Sequence, residues 1–93
     1  MKNITEKKLI ELGFEKQDVT EKDACGDNPF YYFTYEIGSI CLISNSNDEC
    51  IKGKYCVGLF DHPDIGDFYD YKTVFFLITA FKCAKKIADR IVV

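Results

Sequence analysis

Residues 30–43 read F-Y-Y-F-T-Y-E-I-G-S-I-C-L-I, two runs of aromatic and aliphatic residues on either side of Gly38-Ser39. Aromatic and β-branched residues favour strands, and a two-residue turn that begins with glycine is typical of the type II′ hairpin. Such a turn fixes the strand register, so we expect Ile37 to lie opposite Ile40. The stretch therefore predicts an antiparallel hairpin at the centre of the fold.

The two faces of this hairpin differ in character. The expected register places six large apolar side chains on one face: Tyr31, Phe33, Tyr35, Ile37, Ile40 and Leu42. A continuous apolar face needs a cover, for which a helix is the natural candidate. The other face carries Tyr32, Thr34 and Ile43, which a sheet covered on one side leaves exposed as a patch for protein contact.

The C-terminal part of the chain is predicted to form the cover, as a long helix over residues 71–91 that Asp70 caps. Phe75 and Ile78 fall on or beside the polar arc of this helix, so we expect a loop to shield them or a partner to contact them. Apolar residues occupy about half of the helix circumference and are expected to face the sheet: Val74, Phe76, Leu77, Ala80, Phe81, Cys83, Ala84, Ile87, Ala88 and Ile91.

The N-terminal residues predict a second, shorter helix over about 4–12. Asn3 and Thr5 are both suitable N-cap residues, and Gly13 suits a left-handed C-terminal cap. An apolar side that includes Leu9 would attach this helix to the rest of the domain.

Two further segments have strand character. Residues 54–60 alternate in a way that predicts a third strand, and residues 14–19 predict a fourth with a weaker pattern. The expected fold is therefore α+β: a single domain over residues 1–93. It has a small antiparallel meander of three or four strands packed against a long C-terminal helix, with a short N-terminal helix.

The charge distribution argues against nucleic acid as a partner. The net charge is −3, and acidic residues outnumber basic ones before residue 82. An acidic body repels phosphate backbones. Only the end of the last helix is basic, where Lys82, Lys85, Lys86 and Arg90 could contact an acidic partner, although the helix dipole also favours cations there.

Compartment signals point to the cytoplasm. The longest uncharged run, residues 73–81, is much shorter than the roughly 20 apolar residues that a membrane span needs, and the N-terminal residues do not have a secretory pattern. The five cysteines lack the C-x-x-C spacing of zinc or redox sites, so we expect them to be reduced: Cys25, Cys41, Cys50, Cys56 and Cys83.

The segment D-H-P-D-I-G-D-F-Y-D, residues 61–70, concentrates carboxylates around the one histidine. The oxygens of Asp61, Asp64 and Asp67 could bind a divalent cation, with His62 as a neighbouring base. The spacing is not that of an EF-hand loop, and Asp beside Pro and Gly is what turns and helix caps require. We therefore expect turns and a cap here, no cofactor and no enzyme activity, and keep a cation-binding domain or cation-dependent enzyme as the alternative.

Three stretches carry a resemblance: L-I-E-L-G-F-E-K at 9–16, F-Y-Y-F-T-Y-E-I-G at 30–38 and C-L-I-S-N-S-N-D-E at 41–49. Together they resemble a group of short uncharacterised proteins from bacteriophages and prophages of gut-type bacteria. The resemblance covers about residues 5–60 and implies a phage-encoded, cytoplasmic accessory protein, a class that often binds a host enzyme or defence component.

These observations favour a non-enzymatic protein-interaction module that inhibits or redirects a bacterial protein. Its expected contact residues are Tyr32, Thr34, Ile43, Phe75 and Ile78. A structural homodimer is a further alternative.

Overall fold

A computed structural model describes residues 3–20 and 29–91 of the chain. Five strands form one antiparallel sheet in sequence order, and two helices accompany it, which confirms the α+β meander. The strands are β1 (Glu15–Val19), β2 (Phe30–Ile37), β3 (Ile40–Ser44), β4 (Val57–Leu59) and β5 (Asp67–Phe68). The helices are α1 (Glu6–Leu12) and α2 (Tyr71–Ile91).

The central hairpin has the predicted register. Ile37 lies opposite Ile40, and Thr34 lies opposite Ile43. Gly38 has a φ of 60°, the left-handed value that the first residue of this turn requires and that glycine adopts without a steric penalty. The turn residues therefore set which side chains share a face throughout β2 and β3.

The sheet has five strands, whereas we expected three or four. β5 pairs with β4 through Val57 opposite Phe68 and Gly58 opposite Asp67. The pattern of residues 61–70 predicts only turns and a helix cap, because a strand of two residues is too short to show an alternating pattern. This correction places Asp67 on the sheet.

The ends of α1 are set by local hydrogen bonds. Thr5 is the N-cap, and its Oγ1 accepts a hydrogen bond from the Lys8 N–H at 3.3 Å. Asn3, the other candidate, instead forms an isolated bridge with Asp70. Gly13 ends the helix with a φ of 103°, as predicted. A Cβ at this position would lie 2.9 Å from Cε2 of Tyr35, which also packs this end of α1 tightly against the sheet.

Both helices cover the same face of the sheet. Leu9 of α1 and Ile4, which precedes this helix, are fully buried, as are Phe33 of β2 and Val74 of α2. The remaining buried apolar residues join them in one core: Phe14, Ile37, Leu42, Tyr55, Val57 and Ile78. Ile78, which we expected a loop to shield or a partner to contact, is only 5% exposed because it packs in this core. We call this side of the sheet the covered face.

Only the first half of α2 buries apolar side chains against the sheet. Further along, the Lys82 ammonium lies 5.4 Å from the centroid of the Tyr35 ring, and the Lys85 side chain lies beside Gly38. All side chains from residue 82 to residue 90 are exposed, and Phe76 and Ile87 are 71% and 53% exposed. Our expectation that the whole apolar arc packs on the sheet is therefore wrong. The radius of gyration of 14.6 Å exceeds the roughly 12 Å of a compact domain of this length, as expected when the end of α2 extends beyond the sheet.

A chain of polar contacts lies on the covered face. The Tyr31 hydroxyl donates a hydrogen bond to Glu6 Oε2 at 2.9 Å, and this bond raises the pKa of Tyr31. Burial, followed by a hydrogen bond with Tyr31, raises the pKa of Tyr55. The three side chains connect α1 to the sheet, because Glu6 belongs to the helix and Tyr31 to β2.

Candidate protein-binding surface

The face of the sheet opposite the helices carries the predicted contact residues Tyr32, Thr34 and Ile43, and we call it the open face. These three side chains are half-buried. None of the core residues in the described part of the chain comes from this face. The strand pairing that orders the core on one side therefore leaves a second, ordered array of side chains on the other.

The centre of the open face is held in place by contacts between neighbouring strands. Thr34 lies between Glu15 of β1 and Ile43 of β3. The Gln17 side-chain amide donates a hydrogen bond to Thr34 Oγ1 at 3.1 Å. Because neighbouring strands hold these side chains in this way, the side chains would lose little conformational entropy when a partner binds.

Acidic side chains surround this centre. Glu15 and Glu36 come from β1 and β2, and Asp67 comes from β5. Gly58 leaves room for the Asp67 carboxylate, since a Cβ at Gly58 would lie 2.6 Å from Asp67 Oδ1. The residues of β1–β5 that share this face include no lysine or arginine. The centre of the open face therefore combines the apolar side chains of Tyr32 and Ile43 with the hydroxyl of Thr34, and negative charges surround it.

A shallow depression of about 430 Å³ lies at the β1–β2 end of this surface. Glu15, Gln17, Thr34 and Glu36 line it together with Tyr35 and with Gly13 at the end of α1. Its lining is mostly polar and acidic. A basic or hydrogen-bond-donating side chain of a partner would complement it better than an anion would.

Two half-buried cysteines, Cys41 in β3 and Cys56 just before β4, have thiols whose pKa values are raised. Burial raises the pKa of the Cys41 thiol, and burial followed by the charge of Asp67 raises that of Cys56. A raised pKa keeps the thiol protonated at neutral pH, whereas nucleophilic cysteines need the thiolate. The four described cysteines are free; Cys25 lies outside the described residues.

The other two predicted contact residues do not belong to the open face. Ile78 lies in the core on the covered face. Phe75 is 53% exposed on α2, where its ring stacks on that of Tyr71 with the centroids 6.3 Å apart. The structure therefore brings together three of the five predicted residues and places Phe75 on a separate surface.

The acidic segment, residues 61–70, forms turns and a helix cap in addition to β5. Asp61, His62 and Asp64 are exposed, and Asp70 Oδ2 accepts a hydrogen bond from the Thr73 N–H at 3.3 Å. Asp64 belongs to a short 3-10 helix, Pro63–Ile65, which follows His62. Within residues 3–20 and 29–91, no three His, Cys, Asp or Glu side chains come together in a way that could hold a metal ion. The cation-binding alternative gains no support from this geometry.

The comparisons with known proteins add no family. No protein-family model, no curated protein and no solved structure matches the chain. In the part of the chain that the structure describes, neither helix has the length and apolar character that crossing a membrane demands.

Proposed function

We propose that this protein is a non-enzymatic protein-interaction module whose open face contacts a bacterial protein. The observation that carries the proposal is the one-sided arrangement of the fold. Both helices pack on the covered face, while Tyr32 and Ile43 remain accessible on the other. Aromatic and aliphatic side chains at the centre of a patch with a polar rim are typical of protein interfaces.

The charge of the open face indicates what kind of partner surface fits it. Glu15, Glu36 and Asp67 surround the centre without a balancing cation on the same face of the strands. Such a rim favours a partner patch that carries lysine or arginine and repels acidic surfaces. We expect association with this partner to become slower and weaker as salt is added, because the rim charges are exposed and screened.

The resemblance to phage and prophage proteins suggests the biological setting. In this setting the chain is a phage-encoded accessory protein in the bacterial cytoplasm that inhibits or redirects a host enzyme or defence component. This part of the proposal depends on the resemblance of residues 5–60, whereas the contact surface depends on the fold.

The proposal can be tested by capture from a bacterial lysate. The immobilised full chain should enrich a specific protein that quantitative mass spectrometry identifies. The variant Tyr32→Ser/Ile43→Ser removes the apolar centre of the open face and should lose this protein. A chain that enriches nothing above the background would contradict the proposal.

A matched control removes the same side-chain types elsewhere. Phe76 and Ile87 are both exposed on α2, so Phe76→Ser/Ile87→Ser deletes one aromatic ring and one isoleucine without touching the open face. This variant should capture the protein as well as the unmodified chain does. Equal losses in both variants would mean that general stickiness, rather than the open face, accounts for the capture.

The homodimer alternative stays a prediction that one measurement can test. Light scattering gives the solution mass of the purified chain at several concentrations. If the chain is a dimer and the variant Tyr32→Ser/Ile43→Ser is a monomer, the open face binds a second copy of the chain. This second copy would then take the place of the bacterial protein in the proposal.

A further inference from the structure

A groove runs between α1 and α2 on the opposite side of the molecule from the open face. It has a volume of about 520 Å³, and we call it the helix groove. Leu12, Phe75 and Ile78 form its apolar floor, while Lys82, Lys86 and Glu11 lie along it. It is the surface to which the exposed ring of Phe75 belongs.

The floor of the groove suits an inserted apolar side chain. Phe75 is 53% exposed and Leu12 is half-buried, whereas Ile78 is anchored in the core. The Phe75 ring is itself held by stacking on Tyr71, and the Lys8 ammonium lies 4.3 Å from the centroid of the Tyr71 ring. A fixed aromatic floor of this kind gains contact area with a ligand at a small entropic cost.

The rim of the groove is positively charged. Lys82 and Lys86 lie one helical turn apart on α2, about 6 Å along the helix axis. Neither forms an ion pair with a carboxylate within residues 3–20 and 29–91. Both ammonium groups are exposed, and Glu11 is the one acidic residue of the lining. The Lys82 ammonium also lies 5.4 Å from the centroid of the Tyr35 ring. The two cations beside the apolar floor therefore have no anionic partner among the described residues, and Lys86 is the less engaged of the two.

We infer that the helix groove binds an acidic amphipathic helix of a partner protein. A large apolar side chain of this helix would lie on Phe75 and Leu12. Two carboxylates one turn apart would meet Lys82 and Lys86, because i,i+4 residues on a ligand helix have the same spacing as the two lysines. Charge complementarity selects this occupant.

The same charges argue against other occupants. A second copy of α2 would bring its own five basic residues, against one acidic residue, close to this rim. A phosphate backbone would satisfy the lysines but not the apolar floor. This inference goes beyond the proposed function, since the open face is acidic and lies on the other side of the sheet.

A synthetic peptide can serve as the probe. We would use a fluorescein-labelled 16-residue helical peptide with leucines at i,i+4 spacing flanked by glutamates, and a second peptide with every glutamate replaced by lysine. Fluorescence polarisation in low salt should show saturable binding of the acidic peptide, with the basic peptide at least about tenfold weaker. No preference between the peptides, or no binding of either, would overturn the inference.

Variants locate the binding site. Lys82→Glu/Lys86→Glu should weaken binding of the acidic peptide at least about tenfold, and Phe75→Ser should also weaken it. Lys52→Glu/Lys54→Glu makes the same change of net charge on exposed residues outside the groove and should leave the affinity within about twofold. Equal effects of the two charge reversals would overturn the assignment to the groove.

Cys83 gives a second readout, because it is exposed and lines the groove. Bound acidic peptide should slow alkylation of Cys83, measured by mass spectrometry, and unchanged alkylation under saturating peptide would contradict binding there. Tyr32→Ser/Ile43→Ser should bind the peptide like the unmodified chain, so failure of this inference and of the proposed function can be told apart. Anionic vesicles or an oligonucleotide that bind more tightly than the peptide would also overturn it.

Discussion

The two faces of the sheet are built from alternate residues of the same strands and yet differ in how they pack. On the covered face, Phe33 has no exposed surface and packs under both helices. On the open face, its chain neighbour Tyr32 is half-buried, and no core residue of the described chain lies on that face. One face forms the core of the fold, and the other leaves apolar side chains accessible.

This difference implies that the stability of the fold and the proposed binding at the open face can be altered separately. Side chains that alternate along a strand point to opposite faces, so a substitution on one face leaves the packing of the other nearly unchanged. The open face also differs in charge from the helix groove, with acidic residues around one and lysines along the other. Variants can therefore remove one surface at a time.

The largest expected effect comes from the matched pair Phe33→Ala and Tyr32→Ala. Loss of the fully buried Phe33 ring should lower the free energy of unfolding by about 3–5 kcal/mol, because a cavity remains under the helices. Tyr32→Ala should cost about 1 kcal/mol or less. Urea unfolding followed by circular dichroism measures both. Similar losses would show that the open face is not the less packed of the two.

A second pair tests how far α2 covers the sheet. Ile78 is 5% exposed and Ile87 is 53% exposed on the same helix. Ile78→Ala should lower the free energy of unfolding by about 2–4 kcal/mol, and Ile87→Ala should change it by no more than about 0.5 kcal/mol. If Ile87→Ala proved as costly as Ile78→Ala, the far end of α2 would have to pack against the body in solution.

A smaller expected effect is the pH dependence of the free energy of unfolding, to which the polar contacts of the covered face contribute. A hydrogen bond to Glu6 raises the pKa of Tyr31, and burial raises that of Tyr55, both above the ordinary value of 10.0. The folded chain thus holds these protons more tightly than the unfolded chain. The stabilisation is complete below pH 10 and is lost as the pH rises above 10 toward the raised values.

Tyr55→Phe should flatten this alkaline loss of stability and cost about 1 kcal/mol at neutral pH, the usual contribution of one hydrogen bond. Unfolding by urea at several pH values between 8 and 11 measures the slope. Tyr69→Phe, at an exposed tyrosine, is the control and should keep the slope of the unmodified chain. An unchanged slope in Tyr55→Phe would rule out a contribution of this contact to the pH dependence.

The sequence predicted the elements whose cause is local. The register of β2 and β3 follows from the turn at Gly38, and the end of α1 follows from Gly13, because both positions require a positive φ that glycine tolerates. The open face was predictable for the same reason. Once the turn sets the register, Tyr32 and Ile43 must share a face.

What the sequence could not predict depends on long-range packing. The apolar arc of α2 is broad, and its pattern does not say which part of the arc meets the sheet or where the contact ends along the helix. Ile78 was therefore placed outside the core, and Phe76 inside it. β5 is too short for a periodic signal, so Asp67 was missed at the rim of the open face. The helix groove depends on how α1 and α2 pack together, which neither segment shows alone.

The most direct test of the account is a calorimetric titration of the protein captured by the full chain. The titration compares the unmodified chain with Tyr32→Ser/Ile43→Ser and with the matched control Phe76→Ser/Ile87→Ser. We predict that the open-face variant weakens binding about a hundredfold, as expected when two central contacts worth roughly 1.4 kcal/mol each are removed. The control should bind with unchanged affinity. An open-face variant that binds as tightly as the unmodified chain would contradict the claim that this face is the contact surface.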